Sequence, residues 1–458
     1  MAATVAERLA GWAVGLRLDD VPEPVRRAAR RHLLDGLGNA LASARAGVVD
    51  PAVQVATGLG GPAEATVLAS GARVSAPAAA FANGALVHGL DFDDTHAGGL
   101  VHATAVVLPV VLAVGEQVGA GGEDLLVAAV VGYETVCRVA AASPHGFHAR
   151  GLHATQVAGT FAAAAVAARL LGLDAATTAN ALGIAGSSSG GLLEFLSTGA
   201  STKQLHPGSA ALNGILAARL AAAGATGPAT VFEGPYGIYA ALSARPADPE
   251  SVVEGLGTRW ETVRITIKPY PSCQLMHVTL DAMSGLLPLD AGAIDEIVAD
   301  VHPDSASIVC EPAAVKAEPR TSYDAKFSLP WSVAALVVDG AIGVSTYELA
   351  SITRPDVVAL SRRVRTVMVA TDGVAADAPG HVVVRLLDGR TIEGRVERSA
   401  GGPDSPLSDE DLIAKFLGNT GDLVGAAASD LASAVLSLGS DPDVTAASLT
   451  RSATRSAA

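Results

Sequence analysis

The chain is poor in several things, and each scarcity narrows what it can be. Aromatic residues make up only 4% of its 458 residues, although half are hydrophobic. Its apolar content is therefore alanine, valine and leucine, which suits close-packed helices better than a sheet-dominated fold. Three cysteines, Cys137, Cys273 and Cys310, stand far apart without a CxxC pair. That argues against a disulfide framework, a thiolate zinc site or an iron–sulfur cluster. Long apolar runs are missing too: the longest, ATAVVLPVVLAVG from Ala103, reaches about thirteen residues, short of the roughly 18–20 that span a bilayer. It reads as a buried helix.

Positive charge is also scarce. A formal net charge of −15 argues against nucleic acid or an anionic membrane as a partner, and an anionic substrate would need a local cationic pocket. Glu7 and Arg8 interrupt MAATVAERLAGW before an apolar segment can form, so no secretory signal is expected and the setting reads as cytoplasmic.

What is present is helix. Residues 1–260 carry one helical pattern after another, among them PEPVRRAARRHLLDGLGNALAS, GEDLLVAAVVGYETVCRVAAAS, TFAAAAVAARLLGL and SAALNGILAARLAAAGA. Near Trp260 the texture changes to β-branched, alternating runs: VRITIKPYP, DEIVADVHP, RTVMVATDG and HVVVRLLDGRTIEGRVE, the last with the turn signal Asp388-Gly389. A helical stretch, LPWSVAALVVDG, lies among them, and helix returns from 405 before a tail, SLTRSATRSAA, that reads as frayed. The expected fold is mainly α with an α+β part. A large helical domain is formed by 1–260 and 405–458, and a smaller α+β lid domain at 261–404 is inserted in it.

Against this apolar background, LDFDDTHAGGLVHAT at 90–104 concentrates three aspartates and two histidines, and six of the eleven histidines fall between residues 88 and 153. Such polarity inside apolar sequence binds a ligand, moves protons or satisfies itself. A magnesium–diphosphate site is one alternative, but a DDxxD box would need an acid where Ala97 stands. Lysine is the second signal. Of 31 basic residues only five are lysines, and Lys203, Lys268 and Lys326 each sit beside polar or aromatic groups near an element boundary. A compact ammonium suits a carboxylate pocket or proton transfer in ways a guanidinium does not; the bland alternative for Lys326 is a surface charge.

NGALVHGLDFDDTH with VHATAVVLPVVLAVGE, then GLHATQVAGTFAAAAVAARLLGL, TKQLHPGSAALNG, KPYPSCQLMH and DAKFSLPWSVAALVVDG together resemble the MmgE/PrpD family, in order through residues 1–345. That family includes 2-methylcitrate dehydratase, cis-aconitate decarboxylase and iminodisuccinate epimerase. The resemblance implies a homodimer with an active site in the cleft between a helical domain and its lid, acting without metal or other cofactor on a small carboxylate. Carried over by residue, the implied catalytic positions are Asp91, Thr95, His102, His153, Lys203 and Lys268. Cys273, Trp331 and His206 are candidate substrate contacts. His88, His96, His145 and His148 read as structural or peripheral, and Asp93 and Asp94 as satisfying backbone donors or an arginine.

The implied chemistry makes a carbanion beside a carboxylate, which needs a base and fixed positive charge at the developing oxyanion. Lys203 and Lys268 would hold carboxylate oxygens, His102 and His153 would share the roles of base and acid, Asp91 would tune a histidine, and Thr95 would bond the substrate. Elimination of water or a comparable group is the favoured outcome; epimerisation and decarboxylation are the alternatives. The chain departs from the family pattern near these positions: Ala103-Thr104 follow His102 in place of Pro-Ser, Gln204 replaces proline, and Ser209 replaces asparagine. Cys273 stands where decarboxylases carry histidine, and Trp331 where tyrosine is usual. The lost imidazole and hydroxyl argue against cis-aconitate decarboxylation and toward a non-standard substrate.

Overall fold

The computed structural model describes residues 2–372, 374–421 and 423–454. The chain divides into two compact units, one of Met1–Glu194, Thr202–Ile265 and Ser408–Ala458, the other of Phe195–Ser201 and Thr266–Leu407. The observed boundaries fall a few residues after the expected ones. The short segment Phe195–Ser201 joins the second unit, which sequence texture did not reveal.

The first unit is built on helices α1 (Glu23–Ala46), α2 (Ala76–His88), α3 (Thr104–Val118), α4 (Gly122–Ala141), α5 (Ala154–Leu170) and α6 (Thr202–Ala222). Their pairing explains the alanine content. Ala162 to Ala165 of α5 are wholly buried, and small side chains let neighbouring backbones come close. One close approach is between α2 and α6, where a Cβ on Gly84 would lie 2.7 Å from the backbone of Gly208. The apolar run from Ala103 forms α3, buried from Thr104 to Gly115, as a helix apolar on all sides must be.

The second unit contains α7 (His277–Ser284), β1 (Ile294–Val301), α8 (Leu329–Asp339), β2 (Val364–Met368), β3 (Gly380–Leu386) and β4 (Thr391–Val396). Sheet order is β2-β1-β3-β4, with β1 parallel to β2 and antiparallel to β3. Asp388-Gly389 turns β3 into β4, with Gly389 at φ 87°. The strand expected over VRITIKPYP is confined to Ile265–Thr266, because Pro269 and Pro271 cannot donate to a ladder.

The chain then returns to the first unit through α9 (Asp409–Thr420), α10 (Ala427–Leu436) and α11 (Ala446–Ser452). A reciprocal Ser408–Asp411 cap starts α9. The first part of the tail, expected to be frayed, is helical: α11 begins on a Thr445–Ser448 cap and buries Leu449 and Thr450. Residues 455–458 lie outside the described residues. No helix among the described residues is long and apolar enough to cross a membrane.

Candidate active site

The site grows from the loop after α2. Asp91 adopts φ 54°, a left-handed conformation that aspartate tolerates better than most residues. The loop is fixed through its carbonyls: Gln204 donates to Gly89 at 2.8 Å, while Asn39 and Lys415 donate to Phe92 at 3.1 and 3.0 Å. Gln204, one of the departures from the family pattern, thus ties α6 to the loop that carries the acids. Asp91, Asp93, Asp94 and Thr95 are all buried there.

The close contact of α2 and α6 delivers Lys203 to this loop. Its Nζ lies 2.9 Å from Asp91 Oδ1 and 3.5 Å from His102 Nε2. His102 Nε2 is 3.9 Å from the same Asp91 oxygen. Its other ring nitrogen, Nδ1, faces the Asp94 carbonyl at 3.1 Å, Thr95 Oγ1 at 3.4 Å and Asp93 Oδ2 at 3.5 Å. The Thr95 hydroxyl therefore lies on the orienting side of the imidazole, not on the side that meets Lys203. Asp93 Oδ2 is also 2.8 Å from His88 Nδ1.

A second histidine group adjoins the first. His153 Nδ1 lies 3.0 Å from His206 Nδ1, and Thr155 Oγ1 bridges His153 Nε2 at 3.1 Å to the His102 backbone N–H at 3.1 Å. Only one of two facing Nδ1 atoms can carry the proton of a hydrogen bond between them. Burial, together with the nearby His206 and Lys203, holds His153 well below the usual imidazole range. Burial also lowers His206 to about 4 and His148 to about 3. These rings are neutral near pH 7 and exchange hydrogen bonds without adding charge.

Asp91, Thr95, His102, His153, Lys203 and His206 are thus brought together within the first unit. Lys268, Cys273 and Trp331 belong to the second. There Lys268 is fully buried, and half-buried Cys273 donates its backbone N–H to the Lys326 carbonyl at 2.9 Å. Trp331 is wholly buried against Tyr347, with ring centroids 5.7 Å apart, the surroundings of a core residue. Lys326 is no surface charge: it is buried and donates to the Pro271 carbonyl at 2.7 Å.

Asp94 satisfies a backbone donor as expected, whereas His88 is not peripheral and Asp93 is not paired with an arginine. His88 is central, its ring 4.5 Å from that of His102 and 5.8 Å from that of His153, and Asp93 is engaged by imidazoles, not by arginine. Asp94 accepts from the Thr104 backbone and hydroxyl at 2.9 and 2.5 Å and lies 3.1 Å from His32 Nδ1. Thr104 stood out only as a departure from the family pattern, and His32 and Thr155 carry no local signal, being a lone histidine and a hydroxyl in helical sequence.

One nitrogen each from His88, His102 and His153 lie within 4.8 Å of one another, as do donor atoms of His88, Asp91, Asp93 and His102. The donors suit a borderline transition metal better than magnesium diphosphate.

Comparison with known proteins agrees with the motifs. The family model of the MmgE/PrpD N-terminal domain matches residues 7–250 and that of the C-terminal domain matches residues 270–438. The chain belongs to the MmgE/PrpD family. Among its MmgE/PrpD relatives, cis-aconitate decarboxylase of Aspergillus terreus is 29% identical over 440 residues, covering 90% of this chain and 88% of that protein. The human cis-aconitate decarboxylase is 29% identical over 444 residues, covering 92% and 88%. The cis-aconitate decarboxylase-like protein oryM of Aspergillus oryzae is 29% identical over 441 residues, covering 90% and 89%. These relatives are enzymes by name.

Proposed function

We propose that the protein is a cofactor-independent lyase that removes a proton beside a carboxylate of a small carboxylic acid and expels water or a comparable group from the next carbon. The observation that carries this reading is Lys203 within reach of both Asp91 and His102 Nε2. A base nitrogen with an ammonium beside it is what carbanion formation next to a carboxylate requires.

In the proposed step His102 Nε2 takes the α-proton and Lys203 stabilises the charge growing on the carboxylate oxygens. The C–H electron pair becomes the C=C bond, the β-carbon–oxygen bond breaks, and the His102 imidazolium returns the proton to the departing hydroxyl, which leaves as water while His102 becomes neutral again. Asp91 compensates Lys203 and favours the His102 imidazolium once formed. His153, kept neutral, serves as a hydrogen-bonding partner for the leaving group.

Decarboxylation is the second reading, favoured by the names of the relatives. There the bond to one carboxylate breaks to release CO2, and the resulting carbanion takes a proton from the same group. Proton NMR in deuterated buffer with 2-methylcitrate, citrate, cis-aconitate and aspartate-like acids distinguishes these outcomes. New alkene signals from a saturated acid support elimination, and signals of a product one carboxylate shorter support decarboxylation. Deuterium entry without either would replace both readings with epimerisation.

A further inference from the structure

We infer that His88, acting through Asp93, is a positioning residue that sets the tautomer and proton affinity of His102. This rests on the reading of His102 as the proton-transfer group, but its geometry stands apart from any substrate. A backbone carbonyl can only accept, so the 3.1 Å approach of His102 Nδ1 to the Asp94 carbonyl makes Nδ1 a donor. Thr95 Oγ1 and Asp93 Oδ2 at 3.4 and 3.5 Å agree with that direction. The lone pair of neutral His102 is therefore on Nε2, beside Lys203.

Asp93 meets His102 and His88 with one and the same oxygen, Oδ2, and the contact to His88 is the shorter at 2.8 Å. His88 Nδ1–H anchors the carboxylate in the orientation that faces His102. Both His88 and Asp93 are fully buried, and neither His88 Nε2 nor Asp93 Oδ1 has a hydrogen-bond partner among the described residues. The shared Oδ2 therefore links the two imidazoles through one carboxylate oxygen.

The groups facing His102 are Asp91 and Asp93 as anions, Lys203 as a cation, and the His88 and His153 rings at 4.5 and 5.8 Å. Removing the Asp93 charge leaves Lys203 less opposed, so the imidazolium should lose stability. The arrangement has the logic of a carboxylate that fixes a catalytic imidazole, with a second imidazole added to hold the carboxylate.

The test uses the full chain labelled with 15N-histidine, with His102 assigned by comparison with His102→Gln. Wild-type His102 is expected as the Nδ1–H tautomer; an Nε2–H tautomer would overturn the inference without any variant having to be active. His88→Leu, which removes the donor, should lower kcat by about tenfold or more and shift the acid limb of the kcat/KM profile to lower pH. His88→Asn, whose amide can replace Nδ1, should recover most of the loss. Asp93→Asn should cost on the order of 10²–10⁴ in kcat, as mis-set tautomers do in other imidazole–carboxylate pairs. Equal losses in both His88 variants with an unchanged tautomer and pH profile would reduce His88 to packing. If no tested acid reacts, the proposed function fails while the tautomer measurement still decides this inference.

Discussion

Lys203 Nζ lies 2.9 Å from Asp91 Oδ1 and joins residues 112 positions apart in a buried ion pair. Removing one partner of such a pair leaves the other charge uncompensated, at a cost of about 3–5 kcal/mol. Lys203→Ala is therefore expected to lower the melting temperature and to abolish turnover. Lys203→Arg should fail to restore activity, because a planar fork cannot replace a compact ammonium between Asp91 and His102. Thermal denaturation and the NMR assay measure the two effects separately.

The histidines predict an acid-sensitive fold. His206 and His148 are lowered from 6.5 to about 4 and about 3, each first by burial, so below pH 6.5 the unfolded chain binds protons that the folded chain refuses. Stability should be fullest above that pH and fall as the pH drops toward 4. His206→Asn should flatten this loss, which melting temperatures taken across pH 4–7 would register.

Helix spacing predicts a different defect. A Cβ at Gly84 would meet the Gly208 backbone at 2.7 Å, and backbone cannot swing aside as a side chain does. Gly84→Ala is expected to destabilise the protein by about 1–3 kcal/mol and to reduce kcat by shifting Lys203 away from Asp91. A variant with native kcat would show that the helix contact does not position the lysine.

Metal dependence separates the cofactor-free reading from a metalloenzyme. Dialysis against EDTA should leave turnover unchanged, whereas added zinc should inhibit reversibly by occupying the nitrogens of His88, His102 and His153. Activity lost on chelation and restored by a metal would overturn the proposed mechanism.

Much of this organisation is legible in the sequence because it is local. The apolar run from Ala103 specifies a buried helix, Asp388-Gly389 marks a hairpin, and the acids after His88 announce a polar loop. Other features depend on distant chain. The pairing of His88 with Asp93 requires the backbone turn through Asp91, and the burial of Lys326 requires the Pro271 carbonyl to come to it. The terminal helix also escaped notice, since SLTRS is weakly apolar and gains its place from Leu449 and Thr450 packing on the first unit. Composition recorded the abundance of alanine and glycine, but not that Gly84 and Gly208 would oppose one another.

The most direct test of the central claim is proton NMR of wild type and His102→Gln side by side, in deuterated buffer, with the panel of small carboxylic acids. The account predicts alkene product from at least one saturated acid with wild type, and a loss of at least about 100-fold in the variant. Comparable turnover by His102→Gln would contradict it and remove His102 from proton transfer.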